Sequence, residues 1–184
     1  MATAKTGSFY LTETVTLPPA SAGGTRVSST IDLGAYVNVA TGQAVAVESV
    51  DFIYQIGDNY SQELSDFLQS NGSMSVQLMD LNPGNAFKRA DDHSLIASAS
   101  ISIDNSANLA TNVADFYPDN FGPTALSEAF LVVNDSLYLV GGVDGAATDL
   151  LKPIYITARI KCRVAKLSNK DFMAIAIQST ASDN

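Results

Sequence analysis

The sequence predicts an all-β fold, a single jelly-roll β-sandwich of about eight to nine strands with one short helix. Three observations predict it. Residues 154–164 (Ile154-Tyr155-Ile156-Thr157-Ala158-Arg159-Ile160-Lys161-Cys162-Arg163-Val164) alternate apolar and polar without a break, and a period of two places one row against a core and the other in solvent. The same register recurs at Leu95, Ala97, Ala99, Ile101 and Ile103, with Ser94, Ser98, Ser100 and Ser102 opposite, as expected of a one-sided antiparallel sheet. Segments of this kind follow one another between Pro- and Gly-rich turns with a single helical stretch among them, which favours a sandwich and disfavours a parallel α/β fold.

Taken in order, Phe9, Leu11, Val15 and Leu17 alternate with Tyr10, Thr12, Thr14 and Thr16 until Pro18-Pro19 stops the strand. The Ala20-Ser21-Ala22-Gly23-Gly24 turn leads to a second strand near Arg26–Leu33. From Gln43 to Ile56 the apolar parity changes from Val45 and Val47 to Val50, Phe52 and Tyr54. A one-residue slip would turn the apolar row outward, so a β-bulge is expected at Glu48-Ser49. Asn59–Ser70 reads as the helix, because Leu64, Phe67 and Leu68 recur at spacings of three and four and Asn71-Gly72 supplies a stop. Strands follow at Met74–Leu81 and Ser94–Asp104, separated by the turn Asn82-Pro83-Gly84-Asn85. Residues 105–124 read as a long loop with Phe116, Tyr117 and Phe121 among prolines and glycines, either an interface arm or a loop folded onto its own sandwich. Short strands at Ala129–Val133 and Leu137–Val140, a Gly141–Gly145 loop, strand 154–164 and a closing strand Phe172–Gln178 complete the reading.

A chain of 184 residues with 46% hydrophobic content suits one domain, 1–184, able to bury about 70% of its unfolded surface. Residues 1–7 and 180–184 are expected as flexible ends. No apolar run reaches the roughly 18 residues of a membrane span, and no apolar leader precedes the first strand, so a soluble chain without a cleaved leader is expected. The single cysteine, Cys162, shares parity with Ile160 and Val164 and should be a buried hydrophobe rather than a reactive thiol.

The net charge is −9, but it is unevenly spread. Residues 1–151 carry 17 acidic and 4 basic side chains, and residues 152–184 carry 2 acidic and 6 basic ones. The cations of the last long strand, Arg159, Lys161 and Arg163, either pair with acidic neighbours on a solvated face or form a docking stripe for an acidic surface on another subunit. Direct nucleic-acid binding is not expected from an acidic chain whose first residues carry only Lys5.

The residues available for chemistry are few, and no catalytic residue, cofactor or metal is expected. His93 is the only histidine, Asp91-Asp92-His93 lacks a companion ligand cluster, and neither a Gly-x-Ser-x-Gly elbow nor a phosphate loop occurs. Asp58, Asp80, Asp144 and Asp149 sit outside any calcium-loop frame.

The near-total β pattern, the acidic balance and the abrupt start on Ser8-Phe9-Tyr10-Leu11 resemble the single jelly-roll major capsid proteins of tailless icosahedral viruses, above all the smaller capsid subunit of archaeal and thermophilic bacterial viruses with an internal membrane. The resemblance implies a virion subunit assembled in the host cytoplasm. Its partners would be copies of itself, with or without a second capsid protein, near an internal membrane. A phage decoration protein or a receptor- or carbohydrate-binding module is the alternative on the same fold. A cupin-like enzyme would need more histidines than one.

Overall fold

The computed structural model describes residues 2–58, 66–114 and 129–180. The described elements are β1 (Thr3–Ala4), β2 (Phe9–Leu17), β3 (Arg26–Asp32), a 3-10 turn (Val39–Thr41), β4 (Gln43–Ile56), β5 (Gly72–Met79), β6 (Leu95–Asp104), β7 (Leu109–Ala114), β8 (Phe130–Val132), β9 (Ser136–Asp144), β10 (Ile154–Lys166) and α1 (Asn169–Thr180). One sheet has the order β1-β10-β4-β8, with β2 also on β10; the other has the order β3-β9-β5-β6-β7.

The pairing is nested. β2 pairs with β10, β3 with β9, β4 with β8 and β5 with β6, all antiparallel. The chain is thus one long hairpin with its tip between β5 and β6, rolled up until β10 also meets β4 and β9 also meets β5. That winding is the jelly roll, the fold the alternation predicts. Between the sheets Leu17, Val76, Leu78, Leu139, Ile154, Ile156, Ile160 and Cys162 are buried in one continuous core, where each large aliphatic side chain contributes about 1.5–3 kcal/mol by leaving water. Ala99, expected inside with them, is only partly buried against this core.

The expected bulge is where the parity placed it. Lys161 faces Ser49 and Cys162 faces Val47, so Glu48 is the extra residue on β4. The slip lets both apolar rows of β4 face inward, and it turns Glu48 to a place of its own.

Four sequence expectations need correction. Phe172–Gln178 is not a closing strand but part of α1. The Ser168 hydroxyl accepts from the Asp171 N–H at 3.2 Å, and Phe172 is buried with Ala44, Val133 and Leu167, with Ile175 and Ala176 partly buried beside it. The spacings of three and four from Phe172 to Ile175 and Ala176 are helical, and the six-residue apolar run Phe172–Ile177 fits both periods. Gly141 and Gly142 are not a loop, because β9 runs through them. A Cβ on Gly141 would lie 2.7 Å from Val15, and one on Gly142 would lie 2.4 Å from Arg26, so these glycines permit close approach in a strand. The 105–124 segment contains β7, which pairs with β6. The helix expected over Asn59–Ser70 falls largely outside the described residues; where it re-enters them, Leu68 forms a bridge to Thr148 and residues 67–70 are not helical.

The strands deliver their loops to two ends. At one end Leu17, Ile56 and Ile154 lie in register, as do Ser73 and Asp144. At the other, Met79 lies beside Tyr138, Asp32 beside Ser136 and Gln43 beside Lys166. Residues 3–6, expected as part of a flexible arm, are held at this second end: β1 pairs with Ala165 and Lys166, the Lys5 N–H donates to the Val164 carbonyl at 2.8 Å, and the Thr6 hydroxyl accepts from the Val164 N–H at 3.0 Å.

Candidate functional site

Of the six residues singled out in the sequence, Arg159, Lys161 and Arg163 project from the outer row of β10, while Phe116, Tyr117 and Phe121 lie outside the described residues. The three cations have different surroundings. Glu48, turned outward by the bulge yet 3% exposed, accepts from the Arg163 guanidinium, sits 3.6 Å from the Lys161 ammonium and accepts from the Ser8 hydroxyl at 2.9 Å. A buried carboxylate needs such partners, and here one anion binds two strand cations and the segment leading into β2. Arg159 is exposed. Its guanidinium lies over the Tyr10 ring, 5.1 Å from the centroid, and its neighbours in register are Asp51 on β4 and Thr12 on β2.

Parity alone finds these cations, but the Glu48 cluster depends on a bulge that brings together residues 115 positions apart. The only trace of it in the sequence is the break at Glu48-Ser49. Behind the row, burial and the charge of Glu48 push the Cys162 thiol up to about 12, so it packs as an un-ionised hydrophobe.

At the first end the loops are bound to one another. The buried Thr148 hydroxyl accepts from the Ser21 N–H at 2.8 Å and donates to the Pro18 carbonyl at 3.2 Å. The Ala20 N–H donates to Asp149, the Thr148 N–H to Ser21, and the Gln69 N–H to Ala147. From this rigid base the β9–β10 loop exposes Leu150 and Leu151, the latter 86% accessible.

At the second end a cavity of about 290 Å³ opens between the β5–β6 connection, β8 and α1. Asp80, 2% exposed, lines it together with His93, Leu95, Phe130, Leu131 and Ile175. The backbone of Asp80 is satisfied: its N–H donates to Ser94 at 3.0 Å and its carbonyl accepts from Asn134 at 2.9 Å. Its carboxyl Oδ1 has no hydrogen-bond partner among the described residues. Burial, reinforced by the nearby Asp92 charge and opposed by a backbone hydrogen bond, pushes this carboxyl from its ordinary 3.8 to about 7. The connection itself is pinned by Gln77, whose amide donates to the Lys88 carbonyl and accepts from the Lys88 N–H, both at 2.8 Å. Sequence reasoning treated Asp80 and His93 separately and had no signal that joined them to Ile175, since the three meet only through the roll.

No protein-family profile and no curated protein matches the chain. Among solved structures, it is similar to a chain of Mud Crab Dicistrovirus, at 12% identity over 88% of this chain and 70% of that one, with a TM-score of 0.38. It is also similar to chains of Cocksfoot mottle virus (12% identity, 89% and 87% covered, TM-score 0.30) and Desmodium yellow mottle tymovirus (12%, 90% and 93%, TM-score 0.28). At these identities and scores the likeness does not extend to function.

Proposed function

We propose that the chain is a structural subunit that self-associates into an icosahedral virus capsid, and that it is not an enzyme. The observation that carries this reading is the first end of the roll, where loops held together by backbone hydrogen bonds present Leu150 and Leu151 outward. A shell is built from many modest patches that must be held rigidly and repeated by symmetry, and an exposed leucine pair on a fixed base is such a patch. The interior between the sheets is filled by core side chains, which leaves recognition to the surface.

On this reading Arg159, beside Tyr10, is the cation best placed to meet an acidic neighbour, because Lys161 and Arg163 already share Glu48. Phe116, Tyr117 and Phe121 form a second contact region. Copies of the chain are the partners; a second capsid protein, an internal membrane nearby and assembly in the host cytoplasm are the finer parts of the same proposal.

Negative-stain microscopy of the concentrated protein tests it. Shells or hexagonal sheets are expected, lost in Arg159→Glu with an unchanged melting temperature. A monomer at every concentration and salt would overturn the reading, and a discrete soluble trimer that never extends would favour the decoration or receptor-binding alternative.

A further inference from the structure

We propose that the cavity at the second end is a binding site for an aliphatic ammonium group carried on an apolar stem. Three features of the cavity select that chemistry. Asp80 is almost wholly buried and its Oδ1 has no partner among the described residues, whereas buried carboxyl oxygens are ordinarily satisfied. Leu95, Phe130, Leu131 and Ile175 supply apolar walls around it, matching an alkyl chain rather than a hydrated ion. The volume, about 290 Å³, far exceeds the roughly 30 Å³ share of one water. The chain's net charge of −9 further favours a cationic occupant.

A bare metal ion fits less well. Among the described residues the cavity offers one carboxylate and one imidazole, and no group of three or more His, Cys, Asp or Glu suited to a metal occurs among them; calcium takes six to eight oxygens and zinc four donors.

The charged groups around Asp80 define how the site responds to pH. Asp92 and His93 come from the same connection; Asp92 accepts from the Ser94 N–H at 2.9 Å and hydroxyl at 2.6 Å and has Lys88 at 3.9 Å. From β8 and α1 the lining residues Phe130, Leu131, Ile175 and Gln178 carry no charge. An ammonium ion stabilises the ionised Asp80 carboxylate, which acid removes, so binding should strengthen from about pH 5 to about pH 8. The same ammonium chemistry comes either from a free amine or from a lysine of a second copy of this chain.

The test is calorimetric titration of the whole chain with n-pentylamine, with n-pentanol as the uncharged counterpart. Saturable one-to-one binding of the amine is expected, roughly tenfold or more weaker in Asp80→Asn, as the loss of one charge-assisted contact implies, and weaker at about pH 5 than at about pH 8. Gln178→Lys, which tethers an ammonium at the cavity, should exclude pentylamine while the fold is kept, and it serves as the second variant if Asp80→Asn does not fold. Light scattering separates the sources: self-association reversed by excess pentylamine and absent in Asp80→Asn assigns the occupant to a lysine of another copy, and unchanged association with amine binding assigns it to a free amine. No saturable amine binding, equal binding of pentanol, or undiminished binding in both variants would overturn the proposal.

Discussion

The two ends of the roll are made by the same strands, and one buried polar side chain at each, Thr148 and Asp80, is treated in opposite ways. At the first end, Thr148 is fully buried and its hydroxyl satisfies both the Ser21 amide and the Pro18 carbonyl. At the second end, Asp80 is equally buried and its Oδ1 has no partner among the described residues. The first arrangement converts loop backbone into a rigid support. The second keeps an acceptor whose desolvation the fold itself does not repay, which is a cost retained where something else can bind. The difference is not one of whole ends, since the buried Asn105 Oδ1 beside Leu68 at the first end also lacks a partner among the described residues; what sets Asp80 apart is the cavity that it lines.

Substitutions can break or sharpen that contrast, and the reference for all of them is the core that both ends share. Ile160 is completely buried between the sheets, so Ile160→Ala should cost about 2–5 kcal/mol. Chemical denaturation would read it, and a loss under 1 kcal/mol would mean that the sheets repack around the site.

Thr148→Val should cost about 1–3 kcal/mol, because the isosteric side chain leaves the buried Ser21 amide unpaired, while the Pro18 carbonyl still accepts from the Ser21 hydroxyl at 2.7 Å. Amide hydrogen exchange should accelerate at Ser21 while β5 and β6 stay protected. Uniform acceleration would show that the first end is not a separate unit.

Asp80→Asn should act with the opposite sign. The Asp80 carboxyl is raised from 3.8 to about 7, so the folded state binds the proton more tightly than the unfolded one. Its stabilising contribution is complete below about pH 4 and is lost as pH rises through about 7, up to roughly 4 kcal/mol for a shift of that size. The amide mimics the neutral acid, so the variant should match the wild type at about pH 4 and exceed it by up to that roughly 4 kcal/mol at pH 8. Melting temperatures across that range decide it. A variant less stable than wild type at pH 8 would mean that the ionised carboxylate is already paired.

Leu151→Asp should have the smallest effect on stability, within about 0.5 kcal/mol, since the side chain is 86% exposed. It should nonetheless weaken self-association measured by sedimentation. A large loss of stability with unchanged association would remove the first end from the proposed interface.

The local sequence determined the strand rows, because alternation is a property of neighbouring residues. Ile154–Val164 and Leu95–Ile103 each carry their inward and outward sides in their own order. The bulge at Glu48 was legible for the same reason, since a parity break is visible without a partner strand. The limit came where two periods fit one run. Phe172–Gln178 satisfies both a strand and a helix, and the Ser168 cap with the packing of Phe172 against Val133 and Leu167 chose the helix. Gly141 and Gly142 are turn residues by composition, but the closeness of Val15 and Arg26 makes them strand residues. Both candidate sites belong wholly to tertiary structure. Glu48 meets Arg163 across 115 positions, and Asp80 shares a cavity with Ile175, because nested pairing folds the two halves of the chain onto each other. A linear sequence specifies which residues want burial or a partner; only the winding of the sheets decides that Glu48 finds two cations and that Asp80 finds an open cavity.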